Sequence, residues 1–183
     1  MKNQNTPKVS SHPVSHCSVC DIDWPNWSFT EKAVLCFVMS GDEVMLIHKK
    51  TGLGKGKINA PGGRIEKNER AIDAAVRETI EETGVTPLNL EHMADLQFIF
   101  TDGYSLMGTV FVATAFSGNA KNTFEADPFW CKLKSIPYEK MWADDIHWLP
   151  LVLEGKKVTG QFIFKEDTML SHQVFTGLSD TVL

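Results

Sequence analysis

Glu78, Glu81 and Glu82 stand three and four residues apart, a spacing that a helix gathers into one stripe. Carboxylates crowded together without partners repel one another, and a hard divalent cation is the natural resident of such a place. Mg2+ suits it best, because it takes oxygen ligands and leaves room in its shell for waters and substrate phosphates, and Mn2+ is a possible replacement. The chemistry these residues suggest is metal-assisted attack on a phosphate.

The element that must position them is a helix. Ile72, Ala75, Val76, Thr79, Ile80 and Thr83 recur at helical spacing and predict a mainly apolar docked face beside the acidic stripe. Gly84 is the expected C-terminal stop. Before the helix, Gly62-Gly63 let a loop bend and let its backbone approach a ligand. An isolated E-x-x-E-E is usually a solvated surface helix, and only a wider pattern around it would single this one out.

That pattern runs from Gly63 through Arg64 and on to Glu69, then over seven residues to the stretch Arg77-Glu78-Thr79-Ile80-Glu81-Glu82-Thr83-Gly84-Val85. It resembles the Nudix box, G-x5-E-x7-R-E-U-x-E-E-x-G-U, where U is a bulky aliphatic. Thr79 is the one departure. On a docked face it should loosen packing slightly and seek a backbone carbonyl, while removing no metal ligand.

Further segments are similar to one branch of the Nudix hydrolases, the oxidised-purine nucleoside triphosphatase or 8-oxo-dGTP diphosphatase. They are Lys49 to Gly54 with Lys57-Ile58-Asn59, then Leu106-Met107, and above all Ile136 to Pro150. The resemblance implies an α/β Nudix fold, an alpha/beta/alpha sandwich with a mixed sheet that holds a nucleotide between the box helix and a purine pocket. It implies metal ligands at Glu78, Glu81, Glu82, Glu125 and the Gly62 carbonyl. It implies substrate contacts at Lys49, Asn59, Pro61, Gly62, Gly63, Arg64, Trp142, Asp144 and Asp145. Glu82 is the expected base, Glu78 mainly holds metal, and Arg77 orients Glu78 or braces the loop. Leu53 and Val34 depart from the branch, standing where a Phe and a substrate-touching Thr are found. Asn59-Ala60-Pro61 also departs from its aromatic-containing loop, and Phe98, Phe100 and Met107 match pocket-side positions that equally suit a plain core.

The base pocket has a physical reading of its own. Trp142 offers a flat face to a purine, and adjacent Asp144 and Asp145 disfavour joint ionisation. If one keeps its proton, the pair presents a donor and an acceptor, and the Asn59 amide can act as either. Such a site suits oxidised guanine and, by moving a proton, oxidised adenine. The plainer alternative puts Trp142 in the core and leaves Asp144 to cap a helix.

A chain of 183 residues with 43% hydrophobic content can bury a sizeable core and rarely makes two full domains. We expect a loosely ordered arm over residues 1–28, rich in Ser, Asn, Pro and His and unlike a secretory signal, and a Nudix domain over 29–183. Cys17 and Cys20, with His12 and His16, form a candidate zinc cluster, although a single C-x-x-C is a weak signal. Cys36 and Cys131 sit in apolar runs and read as reduced residues of a cytoplasmic protein. The net charge of −5 and the lack of a Lys/Arg block argue against a nucleic-acid partner, and no run is apolar enough for a membrane span. The expected partner is a small-molecule purine nucleoside triphosphate, met by a monomer.

Strands are expected over Ala33 to Met39, Glu43 to His48, Leu96 to Phe100, Gly108 to Phe116 and Phe129 to Leu133, and a second helix over Asp144 to Leu153, capped by its aspartate. The activity that follows is water attack on a triphosphate, releasing nucleoside monophosphate and pyrophosphate. Its alternatives are hydrolysis of another diphosphate, such as ADP-ribose or a nucleotide sugar, and a Nudix-fold sensor that binds nucleotide without cleaving it.

Overall fold

The computed structural model describes residues 18–178, and His12, His16 and Cys17 of the candidate zinc cluster lie outside them. Strand β1 (Glu31–Ser40) alternates its side chains between two apolar layers. Val34, Cys36 and Val38 point into one, and Phe37 into the other, because successive strand residues face opposite sides. Both faces of β1 are therefore buried, and each needs a helix.

Helix α1 (Ala71–Thr83) covers the Val34 side, where Ala74 and Ala75 are buried. Helix α2 (Asp145–Leu153) covers the Phe37 side with Trp148, Leu149 and Val152. The sheet between them is mixed, so the sandwich expected from the sequence is what forms. Strand β5 (Ser105–Ser117) runs parallel to β1 and antiparallel to β4 (Thr86–Phe100). Beyond β4 lie a parallel β7 (Val158–Lys165) and an antiparallel β8 (Thr168–Thr176) at the edge. On the other side β1 forms a hairpin with β2 (Glu43–Lys49), which pairs with the short β3 (Ile58–Asn59) and with β6 (Ala126–Lys132).

The sequence reading differs from this at several points. The segment expected over Leu96 to Phe100 is the end of a strand that begins at Thr86, and β7 and β8 were not expected at all. Strand β8 interleaves polar residues with Leu170 and Phe175, which are exposed, so it lacks the clean alternation of a half-buried strand. The sixth strand stops at Lys132, because Leu133 opens a short 3-10 turn.

The docked face of α1 is also rotated from the expected one. Ala75, Thr79 and Thr83 are buried as expected, but Ile72 and Ile80 are exposed and Glu82 is buried in their stead. The helix turns Glu82 inward and leaves Ile72 and Ile80 outside. Thr79 answers its awkward position as expected, donating its hydroxyl to the Ala75 carbonyl at 2.7 Å. Gly84 ends the helix in the left-handed region, with φ of 74°, and its N–H reaches the Ile80 carbonyl.

In the described part of the N-terminal segment, 3-10 turns form at Val19–Asp21 and Trp24–Asn26. Val19 is buried against Ile99 and Ile163, and its N–H donates to Ser171 Oγ at 3.0 Å. Among the described residues, no helix is long and apolar enough to cross a membrane.

Candidate functional site

The loop that carries the glycines is zipped onto β1. Cys36 N–H donates to the Pro61 carbonyl, Val34 N–H to the Gly63 carbonyl and Ile65 N–H to the Lys32 carbonyl. This close approach explains the glycines: a Cβ at Gly62 would lie 2.0 Å from the Val34 carbonyl oxygen, and one at Gly63 would lie 2.4 Å from Glu78 Oε2. Pro61 is buried there and does not line the cavity described below.

The acidic residues of α1 meet this loop from the other side. Glu82 is 1% exposed, and its Oε2 accepts the Gly62 N–H at 2.9 Å while Oε1 accepts Lys49 Nζ at 2.8 Å. Lys49 Nζ also lies 3.4 Å from the Gly62 carbonyl. Arg77 grips both Glu69 oxygens, each at 2.8 Å, and bonds Glu78 at 2.7 Å, Glu81 at 3.1 Å and the Arg64 carbonyl at 3.0 Å. The stripe is therefore not a set of unpartnered anions, as the sequence reading assumed. Each carboxylate of it has a cation beside it, and among the described residues no three His, Cys, Asp or Glu side chains converge as a ready metal cage.

Burial pushes the Glu82 carboxyl above the ordinary range, against the pull of Lys49. Glu78 moves the same way, burial outweighing Arg77. The bidentate Arg77 contact draws Glu69 down to about 2. Arg77 thus acts as a brace between the loop and the helix.

The donor set suits a divalent cation. Lys49 already places a compact positive charge on the Gly62 carbonyl and the Glu82 carboxylate, which are hard oxygen donors of the kind such an ion takes. Glu78 lines the same cavity and lies against Gly63, where no side chain intervenes. Glu125 lines it from the loop before β6, whereas Glu81 is more than half exposed and lies outside it.

That cavity, about 450 Å3, runs from this acidic end to an aromatic end. Lys49, Asn59, Gly62, Gly63, Arg64, Trp142, Asp144 and Asp145 all line it. Leu53 and Val34, the departures from the branch pattern, line it too, as do Phe98 and Phe100, but Met107 is core. The Asn59 Oδ1 accepts the Ala60 N–H at 2.8 Å, which leaves its amide hydrogens to point elsewhere.

Asp144 and Asp145 are buried at the start of α2. Asp144 stands at the N-cap position but makes no capping bond, contrary to expectation. Its Oδ2 instead accepts the Trp148 indole N–H at 2.9 Å, and Asp145 Oδ2 accepts the Trp142 N–H at 3.0 Å. Burial raises the Asp144 carboxyl to about 6, held down in part by Trp148. Burial first, and the neighbouring Asp144 second, raise Asp145 well above the carboxylate range. Burial and proximity together favour one shared proton on this pair, so that it presents a donor and an acceptor side by side.

The sequence reading gave no role to two residues at this end. Lys57 Nζ lies 4.8 Å from the centre of the Trp142 ring and 3.0 Å from Asp167 Oδ2, tying the 50–57 loop to the β7–β8 turn. Trp148 is fully buried beneath the aspartates. Both lie in segments that carry the resemblance; the partners of Lys57 are distant in the chain, whereas Trp148 meets Asp144 one helical turn away, a bond that only the burial of both side chains reveals.

Comparison with known proteins agrees with the site. The model of the NUDIX domain matches residues 30–152. A protein of Danio rerio named oxidized purine nucleoside triphosphate hydrolase is 36% identical over 149 residues, covering 80% of this chain and 96% of its own. Its namesake in Mus musculus is 35% identical over 142 residues, covering 76% and 91%. The crystal structure of a MutT protein from Bacillus halodurans superposes with a TM-score of 0.71 at 29% identity, covering 79% of this chain and 97% of that one. With its box helix, glycine loop and cavity in the matched region, the chain belongs to the NUDIX domain family, the Nudix hydrolases.

Proposed function

We propose that the protein hydrolyses oxidised purine nucleoside triphosphates, such as 8-oxo-dGTP and 2-hydroxy-dATP, to the monophosphate and pyrophosphate, acting on a free nucleotide as a cytoplasmic monomer. The single observation that carries this is the cavity with an oxygen-rich acidic end at Gly62, Glu78, Glu82 and Lys49 and a buried pair of carboxyls at Asp144 and Asp145. The names of the relatives point to the same substrates.

Nudix hydrolases use divalent metal ions, and here Mg2+ is the proposed one. Glu78, Glu82, Glu81, Glu125 and the Gly62 carbonyl would hold it, and when bound it neutralises phosphate charge and acidifies water. Lys49 then has a second anion to serve, since its ammonium stands at the edge of the phosphate end. Glu82 is the proposed base, since it is buried at the oxygen-rich end where the attacking water would stand. Arg77 holds Glu78 and the loop in place, and Arg64 follows the glycines where phosphates would pass. At the other end Trp142 offers its face to the base, the pair of Asp144 and Asp145 donates and accepts, and Asn59 adds an amide.

The test is kcat/KM with Mg2+ for 8-oxo-dGTP, 2-hydroxy-dATP, dGTP, dATP, ADP-ribose and a nucleotide sugar, with products separated by ion chromatography. Preference for the oxidised triphosphates with pyrophosphate release is expected. A flat profile, a preference for the diphosphate derivatives, or binding without turnover each refutes the reading.

A further inference from the structure

Between its two ends the cavity has a wall made of Arg64 with Glu31 and Tyr104, two residues that the mechanism above does not use. Tyr104 donates its hydroxyl to Glu31 Oε2, and Arg64 Nε pairs with Glu31 Oε1. Both oxygens are thus engaged, and the carboxylate is a fixed anion with an exposure of 18%. Arg64 itself is 79% exposed, so that its half of the grip lies open to solvent.

The position of the wall follows from its neighbours. Arg64 comes directly after Gly63 and bridges to Ala33 of β1, which puts it at the phosphate end. The Tyr104 ring lies 5.5 Å from Phe100, whose ring lies 6.4 Å from Trp142, which puts it at the base end. Glu31 joins the two. In a nucleotide, what joins phosphates to base is the sugar.

We propose that Glu31 and Tyr104 form the sugar subsite, with the Glu31 carboxylate accepting a hydrogen bond from a hydroxyl of the sugar and Tyr104 holding that carboxylate in place. The inference rests on the nucleotide reading of the cavity. Its chemistry is that of a carboxylate with lone pairs beyond those Tyr104 and Arg64 occupy, facing a neutral hydroxyl donor.

The experiment compares the ribo, 2'-deoxy and 2',3'-dideoxy triphosphates of 8-oxoguanine on the wild type, Glu31→Gln, Glu31→Ala and Tyr104→Phe. A ratio taken between substrates within one variant cancels any loss of folded enzyme. Removing the hydroxyl that Glu31 accepts should lower wild-type kcat/KM about tenfold, the worth of a hydrogen bond to a charged group. That ratio should shrink in Glu31→Gln, which keeps a neutral acceptor, and approach unity in Glu31→Ala. In Tyr104→Phe, which keeps the ring against Phe100, it should shrink through KM with kcat kept. Equal efficiency across the sugars in the wild type, or an undiminished ratio in Glu31→Ala, overturns the sugar subsite while leaving the functional reading intact. A wild type that cleaves none of the three overturns that reading, and this inference with it.

Discussion

The indole N–H of Trp148 donates to Asp144 Oδ2 across 2.9 Å, with both side chains buried. This bond favours the ionised form of Asp144 against the rise that burial imposes on it. Trp148→Phe keeps a ring in the core and removes the donor. The Asp144 carboxyl should rise further, and the acceptor half of the pair should be lost near neutral pH. We expect the preference for 8-oxo-dGTP over dGTP to fall about tenfold, with a stability loss of about 1–3 kcal/mol from the altered core and the unmet acceptor. Steady-state kinetics on both substrates and a denaturant melt measure the two effects separately.

The same pair makes stability depend on pH in a defined direction. Asp144 is raised to about 6 from an ordinary 3.8, and Asp145 is raised as well. Above the ordinary value an unfolded chain releases these protons while the folded chain keeps them. Their contribution is therefore fully present at low pH and is lost as pH rises through the folded values. Asp145→Asn keeps an acceptor for the Trp142 N–H and cannot ionise. Its Tm relative to the wild type should climb from about pH 5 to about pH 8, and a constant difference across that range would contradict the assignment.

Lys57 covers the Trp142 ring at 4.8 Å and is itself held by Asp167 at 3.0 Å. The loop is seated closely there, since a Cβ at Gly54 would lie 3.0 Å from Trp142 Nε1. Lys57→Met retains the aliphatic stem and loses the charge over the ring. A contribution of about 0.5–1 kcal/mol corresponds to a KM rise of about two- to fivefold with kcat unchanged, because on the proposed reading the indole would stack on the base in ground state and transition state alike. Asp167→Asn should give a smaller rise that fades as salt is added.

How much of this was legible in the sequence depends on how local each signal is. The spacing of Glu78, Glu81 and Glu82, the stop at Gly84 and the paired glycines are contained in one short stretch, so the helix and its loop could be read directly. The facing of that helix could not, since Ile72 and Ile80 obey the apolar period yet lie outside. Their exposure is settled by Glu82, whose bonds to Lys49 and Gly62 come from elements far away in the chain. The same holds for Asp144, where a capping aspartate is the local expectation and a buried indole from the next turn overrides it. Strand β8 was illegible because an edge strand with polar residues on both faces has no period to detect.

Glu82→Gln tests the base. Gln offers one oxygen in place of the two that accept from Lys49 and from the Gly62 N–H, so one of these bonds is lost while the shape of the side chain is kept. Turnover should fall about 10²–10⁴-fold with KM little changed, the range for removing a positioned proton acceptor. Hydrolysis at the wild-type rate by purified variant would remove Glu82 from that role.

Gly63→Ala probes how tightly the loop and helix are matched. The added Cβ would lie 2.4 Å from Glu78 Oε2 and 2.5 Å from its carboxyl carbon, so the Glu78 side chain must move, and with it the bond to Arg77 at 2.7 Å. A displacement of about 1 Å at a reacting centre costs about a hundredfold in rate, and that loss in kcat is expected here. The fold should survive, because the clash is with the end of a flexible side chain rather than with backbone. A cycle with Glu78→Ala separates mechanism from damage. If the methyl acts only by displacing Glu78, the double variant should be no slower than Glu78→Ala alone, whereas additive losses would mean that Gly63 matters through its backbone instead.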